Sequence, residues 1–254
     1  MEEKLKSVLK NLLQRQRNQA SLFLKSLIFG GALAWASAGG FSVAGGTAFA
    51  VLAVVMYFSP LAERYPTKGA FAVLLGVAMI AAQFLHETPF WLPMSVVSAA
   101  LFAAVLGIKE YLFIQRSRIY YVTALGLLYL AYLLFFLSDK SAYFLPKYGA
   151  VIIAAYLLFR EWLSVISTFQ FPKRERVAAL VGAFLVAQLL WATALLPIGF
   201  LNSATLMLLV TFTIGELLVN YFLQAANRRF LYQLLTVSGI LFLIICWTSG
   251  WTLP

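Results

Sequence analysis

One cysteine, one histidine and one aspartate occur in 254 residues, and 9 carboxylates stand against 19 lysines and arginines. Each shortage excludes a chemistry. Cys246 has no partner for an intrachain disulfide and no second thiolate for a metal cage, so in the run Ile244, Ile245, Cys246 it reads as a small buried hydrophobe. His86 stands alone in the turn His86-Glu87-Thr88-Pro89, which rules out the paired histidines of a zinc site. Asp139 falls in a loop, so no pair of intramembrane aspartates can be built. Neither a Gly-x-Ser-x-Gly elbow nor a phosphate loop ending in Gly-Lys-Ser/Thr occurs. The residues imply no metal and no cofactor, and they argue against an enzyme.

Charge of either sign is scarce: 11% of the chain is charged and 63% is hydrophobic. A soluble domain carries about 25% charged residues, so this composition cannot cover a water-facing surface. Intrinsic disorder needs low hydrophobicity and is excluded by the same numbers. The class implied is an all-α integral membrane protein.

Apolar runs fall at about 22–38, 41–59, 70–85, 92–113, 119–138, 148–170, 177–197, 202–225 and 231–251, separated by glycine, proline and basic turns. The first two are separated only by glycines, but a single helix from 20 to 61 would overrun a ~30 Å hydrocarbon core about twofold. Nine spans are therefore expected in one polytopic domain, 20–254. Ahead of them, residues 1–19 place Leu5, Val8, Leu9, Leu12 and Leu13 at helical three-and-four spacing among Lys4, Lys6, Lys10, Arg15 and Arg17. That pattern predicts a basic amphipathic helix lying on an anionic cytoplasmic leaflet.

Nine spans divide the cations unequally. Sixteen fall on the side of the N-terminus, two (Lys140 and Lys147) on the other, and Arg160 within a span, which accounts for all 19. Such asymmetry in short loops sets orientation, and it predicts a cytoplasmic N-terminus and an outer C-terminus in a cell membrane, by default a bacterial inner membrane. The net charge of +10 is thereby explained as topology, and a nucleic-acid partner is not expected. The partners expected are the bilayer, anionic lipid at the N-terminal helix, and a second copy or a membrane subunit packed on the small-residue spans at Gly30-Gly31 and Gly45-Gly46.

Glu110, Glu161 and Glu216 lie 51 and 55 residues apart, each in a helix that precedes a basic turn. The spacing is that of a tandem helical-hairpin repeat, although two spans with short loops take about 50 residues in any case.

Function rests on the charges inside spans. Arg160, Glu161 and Glu216 cost ~2.5 to 3.5 kcal/mol each at bilayer depth and are expected to face the bundle interior, paired or neutralised. Two polar stripes run from the glutamates at helical spacing: Glu161, Ser164 and Thr168, and Thr213, Glu216, Asn220 and Gln224. Such a stripe suits the lining of a hydrated path, with helix-to-helix hydrogen bonding as the structural alternative. Glu110 lies nearer the interface, where it can snorkel with Lys109. The leading expectation is a permease or transporter whose path is lined by Arg160, Glu161, Glu216, Asn220 and Gln224, with Glu110, Ser164, Thr168 and Thr213 as further polar contacts. The alternatives are a non-catalytic membrane subunit or scaffold of a larger envelope complex and, third, a lipid-modifying enzyme.

Overall fold

The computed structural model describes residues 2–38, 42–59, 67–85, 90–110, 115–138, 144–167, 172–222 and 227–249, with side chains described from residue 19 onward except at 85, 167 and 172. Among these residues every regular element is a helix: α1 (Glu2–Ala38), α2 (Val43–Phe58), α3 (Lys68–Leu85), α4 (Trp91–Lys109), α5 (Arg116–Leu137), α6 (Phe144–Ser167), α7 (Pro172–Ala194), α8 (Phe200–Phe222) and α9 (Arg228–Thr248). Seven of them are long and apolar enough to cross a membrane, while α2 and α3 are shorter apolar helices.

The helices start where local chemistry allows. Pro93, Pro146 and Pro172 all fall in first turns, where the missing N–H would have had no partner within the helix. The Ser42 hydroxyl accepts from the Gly45 N–H at 3.0 Å to open α2, and the Asn227 side chain accepts from the Phe230 N–H at 2.7 Å to open α9. Within helices, hydroxyls turn back onto the preceding turn, as Ser26 does to Leu22 O and Thr193 to Leu189 O. That arrangement satisfies a polar group without water.

Residues 1–19, expected as a separate surface helix, are continuous in helix with the first span: α1 runs 37 residues. Asn18, Gln19 and Ala20 contain no breaker, so the helix propagates through the change from basic to apolar sequence.

The chain divides into two compact units, 1–123 and 124–254, and α5 passes from one into the other. In the first unit α1 packs on α2, α3 and α4. Gly30 lets α1 and α4 approach, since a Cβ there would stand 2.8 Å from Ala99 Cβ. Beside that crossing Phe29 stacks on Phe102 with centroids 4.3 Å apart and tilts against Phe49 at 5.1 Å, while Tyr57 stacks on Phe71 at 4.1 Å. The glycines of the first spans are thus spent inside the chain in two cases, Gly30 and the buried Gly46, whereas Gly31 meets open space.

In the second unit α6 packs on α7 and α8, α7 on α8, and α8 on α9. Phe144 and Tyr148 of α6 meet Trp191 of α7 edge-on at 5.3 and 5.8 Å, and the Tyr148 hydroxyl donates to Ala187 O at 2.7 Å. Tyr132 of α5 and Thr211 of α8 join hydroxyls at 2.6 Å in the buried core. The helices α4 and α5 fall largely in different units, and α4 packs on α1 and α3.

Candidate functional site

Among the described residues, two places bring polar or charged side chains of different helices to one level. The first lies at one end of unit 1. α2 is capped at both ends and spans 16 residues, about 24 Å at 1.5 Å per residue. Its C-terminal carbonyls are taken by lysines of other helices: Lys25 of α1 donates to Ser59 O, and Lys109 of α4 donates to Tyr57 O. The ammonium of Lys109, only 3% exposed, also lies 4.2 Å from the centre of the Tyr57 ring. Lys25 pairs with Glu110 at 3.4 Å, and the Tyr57 hydroxyl meets Thr67 at 2.8 Å. Cations at the negative end of a helix dipole, balanced by one carboxylate, form a closed structural clamp. Glu110 was expected to keep company with Lys109; its ion pair is with Lys25, 85 residues away. The sequence did hold one signal, since Lys25 lies inside the apolar run 22–38.

The second place is in unit 2, where α6 and α8 meet at Trp162 and Gly215. A Cβ on Gly215 would stand 2.3 Å from Trp162 Cζ3, so the indole occupies the space a side chain would need. Because the contact joins Glu161-Trp162 to Gly215-Glu216, the two glutamate-bearing turns lie at one level. Glu161 and Glu216 are both half-buried. They stand six residues from the last described residue of α6 and of α8, about 9 Å of helix.

Thr213, Glu216 and Asn220 of the stripe on α8 are described. Thr213 joins Ser238 of α9 at 2.9 Å, and Asn220 donates to Glu216 O at 2.9 Å and to Glu216 Oε2 at 3.4 Å. Thr213 is thereby engaged as helix-to-helix glue. Asn220, seven residues on, comes within about 20° of Thr213 around the helix, so the stripe begins at the contact with α9. Gln224 and Thr168 lie outside the described residues, as does His86. Ser164 is buried.

Arg160 departs from expectation. It is exposed, and among the described residues it makes no hydrogen bond or ion pair, with either glutamate or any other group. The buried face of α6 is the one carrying Val151, Ala155, Leu158 and Trp162, and Arg160 stands off it. Adjacent residues of a helix point about 100° apart, which is why Glu161 can turn inward while Arg160 does not.

α9 is the least buried of the seven long apolar helices, and Leu234 is the only fully buried residue within it. No group of three or more metal-ligating side chains occurs among the described residues. No family model matches the chain, and no curated protein and no solved structure matches it either.

Proposed function

We propose that the chain is a multi-pass transport protein of permease type, with nine crossings, its basic helix ends in the cytoplasm and a polar path along the seam between α8 and α9. The observation that carries the reading is the half-buried Glu216–Asn220 pair on α8, on a stripe that starts beneath the least buried long helix. A carboxylate left half open within a span is costly in lipid and favourable beside water, so the seam is where water and a polar solute would enter, with protons moving through the Glu216 carboxylate. Glu161, at the same level on α6, lines the approach. Arg160 is not part of this path, because it stands on the opposite side of the α6 packing.

Nine crossings are supported by unit 1. Lys25, Ser59, Thr67 and Glu110 lie together although they belong to the four different helices or their ends, as successive up-and-down passes require. The short α2 then crosses a locally thinned bilayer, with lysines in place of headgroups at its end. Of the glycines that the alternative, a non-catalytic membrane subunit or scaffold, would use, Gly30 meets Ala99 of α4 and Gly46 is buried, while Gly31 meets open space.

Liposomes containing the protein should dissipate an imposed pH gradient, read by trapped pyranine, faster than protein-free liposomes. Equal rates overturn the proposal. Water in the seam has its own test. In a Cys246→Ser background, Asn220→Cys should react with a charged methanethiosulfonate at least about tenfold faster than Met207→Cys, because the reactive thiolate needs water and Met207 is fully buried. If the two react alike, the seam is dry.

A further inference from the structure

We infer that the outward face of α6 seats a membrane glycerophospholipid, with its phosphate on Arg160 and an acyl chain along the apolar residues behind it. Pro146, Ala150, Ile153, Leu157 and Arg160 follow at spacings of four, three, four and three, which is one continuous face of a helix. All are exposed or half-exposed, Ile153 to 60%, while the opposite face is buried against α7 and α8. The outward face is therefore apolar along its length and ends in a single cation.

The dimensions fit one leaflet. Arg160 stands seven residues, about 10 Å, before the last described residue of α6, within reach of the interface for a long side chain that snorkels. From Arg160 back to Ala150 is ten residues, about 15 Å, half of a ~30 Å hydrocarbon core. The guanidinium has five donors in a planar fork that matches two phosphate oxygens, and no described protein group uses them. A free anion would have to leave water to reach that depth, whereas a lipid phosphate arrives with chains that suit the stripe.

The test uses the full chain, delipidated in mild detergent and titrated with phosphatidylglycerol, with diacylglycerol of the same chains and with inorganic phosphate, bound lipid being read by native mass spectrometry. Arg160→Gln should weaken phosphatidylglycerol at least about tenfold, as loss of a charge-assisted contact predicts, and Arg160→Lys should fall between. Diacylglycerol should bind the wild type and Arg160→Gln equally. Arg229→Gln removes an exposed cation at the start of α9 and should cost less than Arg160→Gln. The inference is overturned if Arg160→Gln loses no more affinity than Arg229→Gln, or if Arg160→Lys binds no better than Arg160→Gln. It is equally overturned if inorganic phosphate displaces the lipid, which would make the site one for a soluble anion. Unchanged thermal melting of Arg160→Gln without lipid is expected of an exposed side chain; if that variant melts early, Arg160→Lys alone decides.

Discussion

Glu216→Gln is expected to abolish proton flux through liposomes containing the protein while leaving the protein folded. Glutamine has the shape of glutamate, and its side-chain oxygen can still accept from the Asn220 amide, so the local geometry at 3.4 Å is kept. What it removes is the ability to gain and lose a proton at a half-buried position on the seam. If flux depends on that exchange, the fall should reach the protein-free rate and should be the same at every pH tested. Glu161→Gln probes a carboxylate at the same level on α6, and should slow flux without ending it, because the proposed path runs along α8. Flux unchanged in Glu216→Gln would remove the carboxylate from the mechanism and with it the reason for placing the path there. Reduced flux with an early unfolding transition would point instead to a packing role, and Asn220→Leu would then show the same instability.

What hydropathy can reveal follows from the nature of a membrane helix. Each expected run of apolar residues corresponds to a helix, but the helices begin two or more residues before most runs: α5 at Arg116, α7 at Pro172 and α9 at Arg228. Hydropathy cannot see these first turns because they carry the basic residues that sit in the headgroup layer. The faces were much less legible. A soluble helix announces its core side by contrast with polar residues, whereas here outward-facing Ile153 and core-facing Leu158 are chemically alike. The cost of burying a charge argues for an inward Arg160, and that cost is avoided on an outward face near a helix end. Which helices meet was not legible at all. Lys25 and Glu110 are 85 residues apart, and nothing local in either segment specifies the other. The polar stripe on α8 was legible because it needs only helical periodicity, and its tie to Ser238 of α9 required the fold.

Replacing Lys109 should damage unit 1 more than any other single change there. Lys109→Met keeps the length and the apolar stem of the side chain but leaves Tyr57 O at the end of α2 without its donor, and it removes the ammonium from over the Tyr57 ring. A buried acceptor left unmade costs about 1 to 3 kcal/mol, and the lost cation–π contact adds up to about 2, so a loss of roughly 2 to 4 kcal/mol is expected. Lys109→Glu should be worse, because it sets a carboxylate against the negative end of the α2 dipole and adds to the charge of Glu110. Measured as the midpoint of unfolding on titrating sodium dodecyl sulfate into mild-detergent micelles, the order should be wild type, then Lys109→Met, then Lys109→Glu. Lys25→Met should cost less than Lys109→Met, since Lys25 and Glu110 keep 17% and 15% of their side-chain surface exposed and water can replace part of that contact. The double variant Lys25→Met with Lys109→Met separates a clamp from two independent ties. If the two lysines hold one end of α2 jointly, the second substitution should cost less than it does alone, because the helix end is already released. Strict additivity would mean that each lysine secures its own carbonyl, and a Lys109→Met protein as stable as the wild type would mean that the end of α2 is held by lipid headgroups and not by the chain.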